Sequence, residues 1–257
     1  LLNWDLLKYA VKKFSEDKRC ESQVIISNGL LLTEEKVKFI KENRIGFSWS
    51  FDGKWQDNNR PHISDKKTLD TYIKKIPLIQ ELTSTAKVMI SSKNISTMTE
   101  NLEFFANHNI NAPDFSIVRD NIWSEADIKL FQKETHKLAE YIIQKFLEGK
   151  IVSAGIFDLA LLDMYLGEKK GKRSFGCFAG CSGVGFFPNN EFYPCARFGT
   201  SKEMILMNSD ALLNKKNINK LFNPEIVDPR TFKKCKECNL YNYCNAGCTY
   251  SQLKIKD

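Results

Sequence analysis

"IGFSWSFDG", from Ile45 to Gly53, alternates large apolar residues with small ones. In an extended chain successive side chains point to opposite sides. Ile45, Phe47, Trp49 and Phe51 therefore share one face, and Gly46, Ser48, Ser50 and Asp52 share the other. Side chains as large as these favour a packed layer over water, whereas the small set suits the wall of a polar cavity. The stretch predicts a strand with helices behind it and a ligand cavity in front.

Working outward, the neighbouring segments repeat a helix-and-strand alternation. Residues 3–15 read as a helix with Trp4, Leu7, Val11 and Phe14 on one face. "QVIISNG" (23–29) is a short apolar strand that closes on polar residues and a glycine. Thr33 caps a second helix, with Glu34 and Glu35 in its first turn and Val37 and Ile40 on its apolar side. A helical stretch follows over 65–82, broken near Pro77. "KVMIS" (87–91) is a strand, Met98, Leu102 and Phe105 mark a helix, and "FSIVR" (115–119) is another strand. Ser124 caps a long helix, with Asp127 three residues on and a stripe of Phe131, Leu138, Ile142 and Phe146. One helix per strand predicts an α/β fold with a parallel sheet, open or closed into a barrel. Such folds bind ligands at the carboxyl ends of their strands. Here those ends carry Ser27-Asn28-Gly29 and Ser50-Phe51-Asp52-Gly53, which makes Asn28, Ser50 and Asp52 candidate ligand contacts. Asn-Gly and Asp-Gly are also ordinary turn pairs.

The 257 residues suffice for one large domain or two small ones, and 42% hydrophobic content supports a packed core. No stretch approaches ~18 consecutive apolar residues, so no membrane span is expected, and no signal peptide is apparent. The net charge of +7 comes mostly from scattered lysines, without an arginine stripe interleaved with aromatics, so nucleic acid is not the expected partner. Without a secretion signal, the 8 cysteines argue against a disulfide framework. Cys20 stands alone near the start, a structural thiol before a strand, and the remaining cysteines fall between Cys177 and Cys248. His62, His108 and His136 are isolated and receive no role. This distribution predicts a body over 1–150, a helical linker over 151–176 and a thiol-rich module over 177–257.

In that module "GVGFFPNNEFYPC" (183–195) reads as a β-hairpin turning at Pro188-Asn189-Asn190, since Asn tolerates the positive φ such a turn requires. "CKECNLYNYCNAGC" (235–248) has the spacing Cys-x2-Cys-x5-Cys-x3-Cys. Thiols crowded in this way serve a metal: zinc in a tetrahedral site or an iron–sulfur cluster. Spacing alone leaves both open.

These residues together carry a family resemblance. The chain is similar to radical S-adenosylmethionine (SAM) enzymes with a C-terminal SPASM domain, of the peptide-maturase kind. Their tail pattern is a cysteine, then Gly-x4-Cys, then Cys-x2-Cys-x5-Cys-x3-Cys and a last cysteine. Cys177 and Cys195 match the first two, Asn190 stands where the glycine is expected, and Cys235, Cys238, Cys244 and Cys248 match every spacing of the block. "GCFAG" and "FYPCARF" resemble the Gly-Cys-Gly-Ala-Gly and Tyr-Pro-Cys-His-Arg-Phe stretches of thioether-forming enzymes, with Ala196 in place of the histidine. "ISNGLLLTEE", "SFDG" and the arginine of "NNRP", Arg60, resemble the strand ends of the same enzymes.

The resemblance implies a partial (β/α) barrel of the radical SAM type and a small SPASM domain with two auxiliary [4Fe–4S] clusters. It implies Cys177, Cys195 and Cys248 on the first cluster, and Cys235, Cys238 and Cys244 on the second, with a further ligand beyond Asp257. Cys181, outside the pattern, would complete the first cluster or leave one iron open to a substrate thiolate. Asn28 and Ser50 would contact SAM, Asp52 would fix the strand-end turn, and Arg60 would meet a carboxylate. Neither Cys-x3-Cys-x2-Cys nor Gly-Gly-Glu-Pro occurs in the sequence. The radical SAM [4Fe–4S] cluster is accordingly expected on a segment preceding Leu1. The implied activity is hydrogen abstraction by a 5′-deoxyadenosyl radical, forming thioether cross-links in a ribosomal precursor peptide. A reductant such as flavodoxin or ferredoxin would serve it, in the cytoplasm. The alternatives are an anaerobic sulfatase-maturing, formylglycine-forming enzyme, a zinc-binding interaction or nucleic-acid module, and a radical-incompetent paralogue. The catalytic acid or base is not assigned.

Overall fold

The computed structural model of the chain describes residues 1–157 apart from 63, 65, 84 and 119–122, together with 165, 179, 183–199, 201–207, 237–239, 248, 250 and 251. The chain divides into two compact units, Leu1–Leu159 and Ala160–Asp257.

The first unit runs α1 (Trp4–Glu16), β1 (Val24–Ser27), α2 (Glu34–Glu42), β2 (Gly46–Ser50), α3 (Gln56–Asn59), α4 (Leu69–Gln80), β3 (Ala86–Ile90), α5 (Met98–Asn107), β4 (Asp114–Ile117) and α6 (Glu125–Leu147). The strands form one parallel sheet in the order β1-β2-β3-β4, so the α/β class is the one observed. Its register is stepped. Val24 pairs with Gly46, but Ala86, at the start of β3, pairs with Trp49 near the end of β2. A stagger of this kind tilts strands and curls a sheet toward a barrel.

The quoted strand buries the face its alternation predicts. Ile45, Phe47, Trp49 and Phe51 are all buried, together with Val88, Ile90 and Phe115 of the neighbouring strands and Ile40, Tyr72, Ile79, Leu102 and Leu138 of the helices. Trp49 stacks on Phe51 at 4.4 Å and Phe51 on Tyr72 at 4.9 Å. On the other face the register sets Ser50 beside Lys87 and Lys87 beside Asp114, with an ion pair of 2.7 Å between the last two. Val24 and Ile26 of β1 lie on this face and are 60% and 72% exposed.

Three details depart from the sequence reading. The fourth helix starts at Leu69 and runs through Pro77 instead of breaking there. Proline removes one helical hydrogen bond, and the burial of Ile76 and Ile79 on either side holds the segment in place. Phe14 and Phe146 are exposed, at 58% and 70%, although Val11 and Leu138 on the same helices are buried. Both sit near the ends of their helices, past the layer that buries the rest of the stripe. Finally, the helix expected from residue 151 does not begin there: residues 151–154 are non-helical, and helix starts at Gly155. Ser153 N–H donates to the Asn111 carbonyl (2.8 Å) and Gly155 N–H to that of Pro113 (2.9 Å). Val152 and Ala154 are buried in the first unit's core.

The second unit holds the hairpin of β5 (Gly185–Phe186) and β6 (Phe192–Tyr193), antiparallel, with Asn190 at φ 60° in its turn. Tyr193, Phe198, Met204 and Leu206 form a small core beneath it.

Helix starts follow the sequence. Asn3, Thr33 and Ser124 accept backbone N–H groups, and Ser124 with Asp127 completes a capping box. The start of α4 is capped from a distance. The Asp57 carboxylate accepts the Thr68 N–H (2.6 Å), the Thr68 hydroxyl (2.7 Å) and the Leu69 N–H (3.3 Å). Partial burial disfavours the Asp57 charge, but these hydrogen bonds outweigh it and hold its pKa below the ordinary aspartate value. With the folded pKa the lower one, the stabilisation is full above the unfolded-state pKa and fades as pH falls through the folded one. Asp57→Ala is expected to cost about 1 kcal/mol at pH 7 by urea unfolding. That gap to the wild type should narrow below pH ~4; a gap that stays constant with pH contradicts the assignment.

Candidate functional site

Just past the end of β2 lies a polar group bonded to several neighbouring elements. Asp52 is 1% exposed. Its Oδ2 accepts from Arg60 Nε (2.9 Å), and its Oδ1 accepts from Arg60 Nη2 (3.1 Å) and from the Met89 N–H of β3 (2.9 Å). Its own N–H donates to Gln56 Oε1 (2.9 Å), and its carbonyl accepts from Asn101 Nδ2 on α5 (3.1 Å). Asn101 Oδ1 in turn accepts the Lys54 N–H (3.1 Å). Gly53 has φ 61°, and a Cβ there would lie 2.1 Å from Asn101 Oδ1 and 2.9 Å from the Phe105 ring. Both the backbone conformation and the space require glycine. Arg60 Nη2 also lies 3.5 Å from the Lys87 carbonyl. The loop after β2 is thus fastened to β3, to α5 and to the segment that follows it.

At the neighbouring strand end the Asn28 carbonyl accepts the Trp49 indole N–H (3.1 Å), and Asn28 Oδ1 accepts the Leu30 N–H (3.2 Å). Gly29 N–H donates to Ser27 Oγ (3.1 Å), and Gly29 itself has φ 79°. Asn28 is therefore fixed on Trp49, the residue before Ser50. Ser50 is half-buried on the small-residue face, level with Lys87. The end of β3 is organised in the same manner. Asn94, 5% exposed, accepts the Ser91 N–H (2.6 Å) and donates to the Met89 carbonyl (2.9 Å).

The structure thus gathers Ser50, Asp52 and Arg60 at one strand end and places Asn28 at the next. Asp52 and Arg60 answer chiefly to each other, which makes them the frame of the site, with Ser50 and Asn28 on its rim. Sequence reasoning missed Gln56, Asn94 and Asn101, because an isolated amide after a strand carries no pattern that marks it as buried. Two buried donors on the loop leading to Arg60, Trp55 Nε1 and Asn59 Nδ2, find no acceptor among the described residues.

In the second unit Cys195 ends β6 and opens a short 3₁₀ turn, Ala196–Phe198. From that turn Arg197 Nη1 donates to Cys248 Sγ at 3.3 Å, and the Arg197 guanidinium lies 5.4 Å from the Tyr250 ring centroid. Phe198 packs edge-on against the same ring at 5.0 Å. The segments bearing Cys195 and Cys248 therefore meet, although far apart in sequence. Cys195, Cys238 and Cys248 are unbridged thiols, soft donors of the kind iron–sulfur clusters and zinc take. These described thiols fit such a group. Cys177, Cys181, Cys235 and Cys244 lie outside the described residues, and no cluster of three metal-ligating side chains forms among the described ones. Cys20 is half-buried before β1, its thiol 3.6 Å from the Ser22 carbonyl. His62, His108 and His136 each bond within their own turn, to Ser64, Phe104 and Gln132. No helix among the described residues is long and apolar enough to cross a membrane.

No protein-family model matches the chain. The chain is similar to a cysteine-type anaerobic sulfatase-maturating enzyme of Clostridium novyi (strain NT), 24% identical over 255 residues that cover 93% of this chain and 66% of that enzyme. It thus spans about two thirds of that relative's length. Among solved structures it resembles native anSMEcpe with bound AdoMet and Cp18Cys peptide, with a TM-score of 0.72 and 20% identity, over 95% of this chain and 71% of that one. It also resembles Streptococcus suis SuiB bound to precursor peptide SuiA, with a TM-score of 0.55 and 17% identity, over 91% and 56% of the two chains. The fold is shared with these structures.

Removing one partner of a buried ion pair strands the other charge. Arg60→Met is expected to lower stability by about 3 kcal/mol in urea unfolding, since Asp52 keeps only the Met89 N–H. Adding Asp52→Asn to it should restore part of the loss. A double variant less stable than Arg60→Met alone would show that the carboxylate is not the strained partner.

Proposed function

We propose that the protein is a radical SAM enzyme that matures a ribosomally made peptide, joining a cysteine sulfur to a carbon. The observation that carries this reading is the framed strand end, Ser50 with Asp52 and Arg60 beside Asn28, on a parallel sheet. A structure of the same fold holds AdoMet and a peptide. The thiol-rich tail supports the same reading, with Cys195 and Cys248 in segments that meet.

SAM bound with a reduced iron–sulfur cluster supplies a carbon radical able to take hydrogen from an unactivated C–H bond. The chain's own residues bind and orient. Ser50 Oγ and Asn28 Nδ2 would bond the ribose or carboxylate of SAM. The Asp52–Arg60 pair would hold the β2 loop so that Ser50 keeps its place, and Arg60 would meet a carboxylate. Cys177, Cys195 and Cys248 would hold the first auxiliary cluster, with Cys181 completing it or leaving one iron open to a substrate thiolate, and Cys235, Cys238 and Cys244 would hold the second. Thiolate ligation of this kind needs a reducing setting, which fits a cytoplasmic enzyme fed by a flavodoxin or ferredoxin. Ala196, directly after Cys195, offers no acid or base.

A second reading is favoured by the name of the curated relative: oxidation of a cysteine or serine to formylglycine in a sulfatase. The product separates the two. A thioether link removes two hydrogens and keeps the sulfur, whereas formylglycine made from cysteine loses it.

Purified under nitrogen, the protein should be brown and hold about eight irons in the two auxiliary sites. Supplied with SAM, dithionite and a cysteine-rich peptide encoded beside it, the full-length enzyme should release 5′-deoxyadenosine. Mass spectrometry should find the peptide lighter by two hydrogens, with one thiol no longer alkylable. Colourless protein carrying stoichiometric zinc would refute the reading, and sulfur loss from the peptide would move it to formylglycine formation.

A further inference from the structure

We infer that Arg197 is a positioning residue that sets the reduction potential of the iron–sulfur cluster ligated by Cys248. The inference rests on the proposed function, since it takes Cys248 as a cluster ligand.

Arg197 is held at the Cys248 sulfur from two sides. On its own segment it is the middle residue of the Ala196–Phe198 turn, whose first neighbour is Cys195. The turn is anchored by Phe198, 2% exposed and packed edge-on against Tyr250. On the opposing segment Cys248 accepts an N–H from Nη1 at 3.3 Å. Tyr250, two residues on, places its ring 5.4 Å from the guanidinium carbon, a separation at which a ring face attracts a cation. The sulfur and the ring that grips the guanidinium thus come from one short stretch. A shift of that stretch would move both, and the N–H would stay directed at the sulfur.

The consequence is electrostatic. Arginine keeps its charge at every accessible pH, and a charged donor makes roughly twice as strong a hydrogen bond as a neutral one. One-electron reduction of a thiolate-bound cluster adds a negative charge shared with the ligand sulfurs. A fixed cation bonded to one of those sulfurs stabilises the reduced form more than the oxidised form. Hydrogen bonds to sulfur and local charge are among the factors that set cluster potentials. Arg197 therefore raises the potential of this cluster above the value it would have without the cation. No bond or proton at Arg197 changes in the step.

The test is a dithionite titration of the chain, reconstituted anaerobically with iron and sulfide and followed by electron paramagnetic resonance. In Arg197→Met one midpoint should fall by about 59 mV, the one-electron equivalent of a tenfold weaker reduction equilibrium. The other midpoint should stay in place. If Arg197→Met does not assemble the cluster, Arg197→Gln decides, because it keeps a donor and loses the charge. A lowered midpoint in that variant supports the inference, and a wild-type midpoint overturns it. An unchanged midpoint in Arg197→Met with full iron content overturns it as well. Wild-type chain that takes up no iron overturns the underlying reading instead.

Discussion

A carboxylate that is 1% exposed, Asp52, ties the first unit together. A buried charge is tolerated only when it is paired and hydrogen-bonded. The Asp52 carboxylate meets that requirement from two places, the Arg60 guanidinium and the Met89 N–H of β3, while its backbone N–H is held separately by Gln56 Oε1 at the start of α3. The bond to Met89 is available because the register is stepped, with Trp49 opposite Ala86, so that position 52 falls level with position 89. The stagger of the sheet and the placement of the charge define each other. Gly53, pressed against Asn101 and Phe105, fixes the loop from the helix side. Ser50 keeps its position because the two residues beyond it are held so firmly.

Much of this architecture could be read from the sequence, and the remainder has identifiable reasons for staying hidden. The alternation from Ile45 to Phe51 and the helix caps at Thr33 and Ser124 are local patterns, and the structure keeps them. The parallel sheet followed from counting helices between strands. Asp52 was visible as a strand-end residue, but Asp-Gly before a loop describes a solvated turn equally well. Its burial depends on a backbone N–H from another strand, which has no side-chain signature. The attachment of 151–155 to the segment before β4 escaped because it rests on backbone bonds, from Ser153 to Asn111 and from Gly155 to Pro113, which have no side-chain signature. Phe14 and Phe146 obey the helical period and are still exposed, because periodicity cannot say where the neighbouring layer ends. In the tail, spacing identified the thiols, but the approach of Arg197 to Cys248 spans 51 residues and leaves no local trace.

The two units use arginine in opposite ways. Arg60 is forked onto a carboxylate, so the pair carries little net field and serves to hold a loop. Arg197 is set between a ring and a sulfur. The first arrangement suits a frame that must not move. The second suits a place where the charge of the neighbouring group changes, because a fixed cation then acts differently on the two states.

The face of the sheet opposite the helices follows from the same logic. Parallel sheets are ordinarily covered on both sides, yet this face carries Gly46, Ser48 and Ser50 in β2, with Lys87 and Asp114 bridged beside them. Branched apolar side chains are confined to β1 on this face, at Val24 and Ile26, and β2 beside it carries none. Small side chains leave volume, and hydroxyls offer oriented dipoles without net charge. The Lys87–Asp114 ion pair on the face is internally balanced. Such a wall suits a ligand that brings several charges of its own and needs each met by a directed hydrogen bond. The SAM of the proposed function, with an ammonium, a carboxylate and a sulfonium in one molecule, is a ligand of that kind. The polarity of the wall and the frame at Asp52 are then two halves of one arrangement: the frame sets where Ser50 stands, and the small residues keep the space in front of it clear.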